Sequence, residues 1–299
     1  MTNPRPSNIA ASTHARLLNL ARAERRSFND RLQLYAMERF LFRLSRSMRA
    51  HKFVLRGALM LRVWNPATYR TTRDIDLLGT LSNNPESVAQ TIRSICRQPV
   101  DADGLEFHAN TVNAESIVED GEYQGVRLRF RGHLGNTRTD MQIDVGFGDE
   151  VTPAPRTIDY PVLLDNPAPR LIAYPPETTI AEKFEVMLKR GSANSRMKDF
   201  HDIWWLAHSR AFDGTVLAAA LTATCSRRGT PVGVQHAAFS KAFAQDPSKR
   251  AQWSAFRSRL APTSCPHEFQ AVVEAVAGFL QPIAAAIAAD NPFTMKWQP

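Results

Sequence analysis

Two aspartates one residue apart, Asp74 and Asp76 in the stretch TYRTTRDIDLLG (Thr68 to Gly79), are the side chains best placed to do chemistry. A strand has a side-chain period of two, so both carboxylates would share one face while Ile75 and Leu77 share the other. Neighbouring carboxylates repel and resist desolvation, and a divalent cation is their usual compensation. A third candidate, Asp144 in MQIDVGFGD, alternates with Ile143 and Val145 and would stand on the polar side of a second strand. If the two strands are neighbours, Asp74, Asp76 and Asp144 make an oxygen-rich bed for Mg²⁺ or Mn²⁺, completed by water and phosphates. Two such ions can activate an attacking oxygen and stabilise a leaving one. The plainer alternative is a set of exposed strand carboxylates paired with Arg127, Arg129 or Arg131.

Upstream, FVLRGALMLRVW gives a strand, a glycine and a helix. Gly57 has no Cβ, so backbone amides there could approach a phosphate closely. In the second half, Lys183 lies in a helical pattern whose apolar face is Ile180, Phe184, Met187 and Leu188. It is either a solvated lysine or a point charge for polyphosphate. Asp199 and Asp202 are three apart and share a helical face, where one of them could orient Lys183 or Arg196. The alternative is a pair of helix N-terminal charges, which suits Asp199 better than Asp202. His201, His208, Trp204 and Trp205 sit at core spacing and are set aside as catalytic or stacking groups.

The elements that must hold these residues follow from periodicity. Residues 13–50 carry helix-period apolar positions for two helices, with Ser27 and Asp30 as capping side chains between them. KFVLRG and DIDLLG predict short strands around the helix ALMLRVW, and PESVAQTIRSIC predicts a further helix. LEFHAN, ESIVED, GVRLRFRGHL and TDMQIDVGFGD alternate as strands do. Between Pro153 and Pro176, prolines and turn residues argue against a long regular element and mark a junction. Beyond Glu177 nearly every segment is helical in period. The expectation is two domains, residues 1–160 and 161–299.

The chain of 299 residues is long enough to bury a full core. Three distant cysteines, Cys96, Cys225 and Cys265, give neither a disulfide framework nor a zinc spacing. The opening segment has no signal-peptide pattern, and the apolar stretch FLQPIAAAIAAD is too short to span a bilayer, so a cytoplasmic protein without membrane association is expected. A formal charge of +8 favours a polyanionic partner. Arginine groups in RAERR, RLSRSMR and SRRG are the candidates for phosphate contacts, each with a solvated face as its alternative.

The order strand, Gly57, helix, carboxylate strand, followed by TIAEKFEVMLKR and RMKDFHDIWWL, resembles the AbiEii/AbiGii family of toxin nucleotidyltransferases, which includes the mycobacterial MenT toxins. That family belongs to the DNA polymerase beta-like nucleotidyltransferase superfamily. The resemblance runs from about Phe53 to Leu206. It implies an α/β (α+β) fold: a nucleotidyltransferase core with a mixed β-sheet, and a C-terminal helical domain closing over the nucleotide. Residue by residue, the family's glycine turn falls on Gly57, its metal carboxylates on Asp74 and Asp76, and its hydroxyl on Thr72. Its lysine falls on Lys183, and its later acidic motif on Lys198, Asp199 and Asp202.

The catalytic set implied is Asp74, Asp76, Lys183 and Asp202. Asp144 joins the metal ligands from strand alternation and the wider superfamily pattern. The turn departs from many relatives, since Ala58 and Leu59 supply no hydroxyl. Nucleotide contacts then fall to backbone amides, Arg56, Gly57, Thr72, Lys183 and Arg196. The implied activity is transfer of a nucleoside monophosphate from an NTP to an RNA 3′ end, especially that of tRNA. Mg²⁺ or Mn²⁺ is the implied cofactor, growth arrest the outcome and a cognate antitoxin the antagonist. A protein-nucleotidylating enzyme and a catalytically silent nucleotide- or RNA-binding module remain as alternatives.

Overall fold

The computed structural model describes residues 8–65, 72–119, 123–233, 235–260 and 265–299. The chain divides into two units, Met1–Gly148 with Arg156–Ala173, and Asp149–Pro155 with Tyr174–Pro299. Of the stretch TYRTTRDIDLLG, residues 68–71 lie outside the described residues.

The first unit begins with α1 (Ile9–Ala23) and α2 (Phe28–Arg46). Ser27 caps α2, its hydroxyl accepting the Asp30 N–H at 3.1 Å, as the stretch SFND predicts. Then come β1 (Phe53–Arg56), α3 (Leu59–Trp64), β2 (Asp74–Gly79) and α4 (Pro85–Cys96). The last is started by Asn84, which accepts from Ser87 N–H, and by Pro85, whose missing N–H costs nothing at a helix start. Three long strands follow: β3 (Leu105–Glu119), β4 (Tyr123–Leu134) and β5 (Thr137–Phe147). LEFHAN and the first five residues of ESIVED, expected as separate strands, are the two ends of β3, whose register against β4 shifts between His108 and Asn113, and Asp120 lies outside the described residues.

Two further strands, β6 (Arg156–Asp159) and β7 (Arg170–Ala173), complete a seven-stranded mixed sheet of order β3-β4-β5-β2-β1-β7-β6. β2 pairs β5 in parallel and β1 pairs β7 in parallel; the other pairs are antiparallel. Periodicity missed β6 and β7, because four-residue strands between prolines carry too little alternation, and β7 is fixed by a partner far back in the chain. Residues 161–173, expected to open the second domain, therefore belong with the sheet.

Alternation decides which face of this sheet is buried. Ile75, Leu77, Ile143, Val145, Val126, Leu128 and Phe130 are all buried, and they form one core with Phe40 and Leu41 of α2 and Val88 and Ile92 of α4. Each such side chain contributes about 2 kcal/mol by leaving water. Slipping β2 by one residue would bury Asp74 and Asp76 instead, so the core itself fixes which way the carboxylates point.

In α2 several arginines are structural. Arg43 donates to both carboxylate oxygens of Asp103, at 2.7 and 3.1 Å, and Arg39 pairs with the fully buried Glu38. Burial raises the Glu38 carboxyl to about 7, against the opposing pull of Arg39, Arg62 and the Leu163 N–H. The expectation that the arginines of RLSRSMR face phosphate therefore fails at Arg43, which lies in the core.

The second unit is helical: α5 (Pro176–Arg190), α6 (Met197–Ser209), α7 (Gly214–Arg227), α8 (Lys241–Gln245), α9 (Pro247–Arg257) and α10 (Phe269–Ala288). Two short strands, β8 (Phe212–Asp213) and β9 (Lys296–Trp297), pair beside α7. Ile180, Phe184, Phe200, Leu206, Leu221, Phe269, Val272 and Leu280 are among its buried side chains. The apolar stretch expected to be too short for a bilayer is the end of α10, which at 20 residues is long and apolar enough to cross one by length and composition alone. Val272, Val273, Val276, Phe279, Leu280 and Ile283 of this helix are buried inside the unit. All three cysteines are buried, and no disulfide joins them.

Candidate active site

The polar face of the sheet carries a row of four charged residues on four neighbouring strands. Cross-strand register places Arg56 of β1 beside Asp76 of β2, Asp76 beside Asp144 of β5, and Asp144 beside Arg127 of β4. The order of charge across the sheet is therefore plus, minus, minus, plus. Asp74 stands two residues along β2 from Asp76 and is half-buried like it. Thr72 donates its hydroxyl to Asp74 Oδ1 at 3.1 Å, and the Arg73 N–H reaches the same oxygen at 3.0 Å.

Two glycines make room for this row. Gly57 has φ +75°, and a Cβ there would fall 2.7 Å from Asp76 Cγ and overlap its carboxylate. Gly146 lies on the same face as Asp144; a Cβ on it would stand 3.0 Å from Arg56 Cζ. The Arg56 guanidinium thus reaches across β2 to lie over β5. The glycine turn was expected to bring backbone amides close to phosphate; in the structure its missing side chain seats a carboxylate.

Asp144 is almost wholly buried, at 6% exposure, and Arg127 closes both of its oxygens, Nε to Oδ1 at 2.8 Å and Nη2 to Oδ2 at 2.7 Å. Gln142 adds amide contacts at 3.4 Å. The hydrogen bond to Asp144 raises the Arg127 guanidinium above its already high ordinary value. Of the two sequence expectations for Asp144, metal ligand or partner of Arg127, the pair with Arg127 is the arrangement present.

Among the described residues no group of three or more His, Cys, Asp or Glu side chains is arranged to hold a metal ion. The donor chemistry still suits one hard cation. Asp74 and Asp76 offer two carboxylates on one face, and Mg²⁺ is commonly bound by one or two carboxylates plus water and substrate phosphates.

In the helical unit a second charged cluster surrounds Lys183. Its Nζ lies 2.6 Å from Asp199 Oδ1 and 2.9 Å from Asp202 Oδ2. Both aspartates sit on one face of α6 and are buried. Arg196 donates Nε to Asp199 Oδ2 at 2.5 Å, and His201 Nδ1 is 3.0 Å from Asp202 Oδ1. Burial alone would raise the Asp199 carboxyl, yet Lys183 and Arg196 hold it below its ordinary value. Lys183 is thus positioned by two buried carboxylates, a relation that the spacing of Asp199 and Asp202 made visible. His201 was set aside in the sequence; the structure places it against Asp202. His208 and Trp204 contact each other locally, His208 Nδ1 lying 2.8 Å from the Trp204 carbonyl.

One expected phosphate contact is overturned. Arg228 is not a surface group but is bound to Asp149 and Glu185, each at 3.0 Å, with Glu182 at 3.5 Å, and its side chain is 9% exposed. A charge run shows no periodicity when one member turns inward, so SRRG looked uniform in sequence. Arg22, Arg25 and Arg227 are exposed.

The mixed sheet thus sets paired carboxylates beside a glycine turn, and the second unit of the chain is helical. The chain belongs to the AbiEii family, described as nucleotidyl transferase AbiEii toxin, type IV toxin–antitoxin system, which matches residues 39–275. Two solved structures from Helicobacter pylori are similar at 13% identity. A protein titled putative nucleotidyltransferase covers 86% of this chain and 94% of its own, with a TM-score of 0.46. JHP933 covers 88% and 94%, with a TM-score of 0.48. No curated protein sequence matches this chain.

Proposed function

We propose that this toxin-family nucleotidyltransferase transfers a nucleoside monophosphate from an NTP to the 3′ hydroxyl of an RNA, the acceptor end of tRNA in particular. In this reading it acts in the cytoplasm, blocks translation and is antagonised by a cognate antitoxin. The observation that carries it is the placement of Asp74 and Asp76 on one sheet face, Asp76 seated against Gly57, in a chain of the AbiEii family.

In the reaction the acceptor hydroxyl loses its proton to solvent as its oxygen forms a bond to the α-phosphorus, the bond to the bridging oxygen breaks, and pyrophosphate leaves with the electron pair. Asp74 and Asp76 would hold Mg²⁺ or Mn²⁺, which when bound supplies Lewis-acid stabilisation of phosphate charge. Thr72 fixes the rotamer of Asp74 through its hydrogen bond. Arg56 adds positive charge beside Asp76. Lys183, oriented by Asp199 and Asp202, is assigned to the polyphosphate, and Arg196 supports it through Asp199. Such chemistry depends on positioning and fixed charge more than on covalent catalysis.

The test is incubation of the purified protein with total RNA and each α-labelled NTP in turn, with Asp76→Asn as control. Label on RNA, lost in the variant, is expected. Label on protein instead would identify a protein-nucleotidylating enzyme, and NTP binding without any label would identify a silent binding module.

A further inference from the structure

Asp144 is the third carboxylate of the polar face, and both of its oxygens are already engaged by a bidentate guanidinium. Such pairs are the strongest and most directional ion pairs proteins make. The guanidinium cannot lose its proton to step aside. Arg56 lies over Gly146, the next outward position of the same strand, so β5 has cationic neighbours at two successive sites on this face. A divalent ion brought to Asp144 would meet a fixed like charge at close range. Arg127 Nη1, by contrast, makes no hydrogen bond to the described residues, and the side chain is 31% exposed.

We propose that Arg127 takes the place of a second divalent cation on this face: Asp74 and Asp76 hold one metal ion, and the Asp144-bound guanidinium is the second positive charge, with Nη1 available to an anionic phosphate oxygen. The inference rests on the reading of Asp74 and Asp76 as metal ligands. Asp144 is then a positioning residue for Arg127 rather than a ligand.

Counting bound Mn²⁺ by electron paramagnetic resonance, on the full chain and without nucleotide, tests both layers. The wild type should bind one ion, and Asp76→Asn should weaken its binding severely, since it removes one of two carboxylate ligands. Asp144→Asn should keep one ion, because Asp144 is outside the ligand set. Arg127→Met, which unmasks Asp144, should admit a second ion. The double variant Arg127→Met with Asp144→Leu removes both charges together, a change buried pairs often tolerate, and should again bind one.

Two ions in the wild type, reduced to one by Asp144→Asn or by the double variant, would make Asp144 a ligand and overturn the proposal. One ion in Arg127→Met would overturn it as well, by showing that Arg127 does not exclude the second. No bound ion in the wild type would refute the metal reading of Asp74 and Asp76, and the inference with it.

Discussion

The carboxylate of Asp76 occupies the space that a side chain on Gly57 would need. The glycine and the aspartate come from neighbouring segments of one sheet, β1 running into the turn and β2 returning antiparallel beside it, with Arg56 opposite Asp76. Gly57→Ala therefore carries two penalties, a left-handed φ of +75° and an overlap with the carboxylate. Left-handed backbone costs an alanine about 1–2 kcal/mol. We expect a stability loss of that size or larger, seen as a lower denaturant midpoint, with nucleotidyl transfer reduced further because Asp76 is displaced. Wild-type activity and stability in Gly57→Ala would contradict the observed seat of Asp76.

Lys183→Ala should cost stability, beyond its proposed contact with the nucleotide. It leaves Asp199 and Asp202 buried beside each other without their shared ammonium, and removing one partner of a buried pair costs about 3–5 kcal/mol. Lys183→Arg should restore much of the stability but less of the activity, since the planar fork differs in reach. Because the Asp199 carboxyl is held below its ordinary value, its stabilising effect is full above about pH 4 and is lost as pH falls through the lowered folded value. Acid unfolding followed by circular dichroism should move to higher pH in Lys183→Ala. An unchanged acid transition would mean that the cluster contributes nothing to the fold.

These clusters differ in how far the sequence disclosed them. Strand alternation placed Asp74 and Asp76 on one face without further information, because two-residue periodicity is a local property. The pairing of Asp76 with Asp144 needed the order of the strands, and parallel neighbours far apart in sequence leave no local mark. Arg127 was among the possible partners of the carboxylates, since alternation in GVRLRFRG puts Arg127, Arg129 and Arg131 on one face; only register could choose it. Alternation in MQIDVGFGD put Gly146 on the polar face with Asp144, but nothing local to it showed that Arg56 of another strand would lie over it. Arg228 and Arg43 were misread because burial of an arginine depends on carboxylates supplied from distant segments, Glu185 in one case and Asp103 in the other.

Glu38 provides a pH test of the first unit. The Glu38 carboxyl, raised by burial from 4.5 to about 7, binds a proton in the folded chain over a range where the unfolded chain has released it. Stability from this group is therefore full below about pH 4.5 and declines as pH rises to about 7, by about 3 kcal/mol at 1.36 kcal/mol per pH unit. Glu38→Gln should flatten the dependence of the unfolding midpoint on pH between 4.5 and 7. A wild-type midpoint that rises across this interval, with the same slope in the variant, would show that Glu38 is ionised throughout.

If RNA is the acceptor, the exposed arginines should hold it through phosphates while the reaction depends on one terminal hydroxyl. Arg22 and Arg25 are exposed at the end of α1, and Arg26 is half-buried beside them. Arg227 is exposed at the end of α7, whereas Arg228 is committed to Asp149 and Glu185 and should contribute nothing to RNA directly. Phosphate contacts release counterions, so each one lost reduces the slope of log affinity against log salt by about 0.7–0.9. Replacing Arg25 and Arg26 together by Ala should therefore shallow that slope by about one to two units and leave NTP affinity unchanged. Phosphate contacts position the strand without reading its bases, so the loss should be similar for unrelated RNAs. A tRNA with a 3′-deoxy end should bind as the intact tRNA does and accept no label, because the missing group is the nucleophile and supplies few of the contacts. Binding titrations at several salt concentrations and a transfer assay on the 3′-deoxy tRNA decide the matter. Salt-independent binding would refute the phosphate grip, and undiminished labelling of the 3′-deoxy tRNA would rule out the terminal hydroxyl as acceptor.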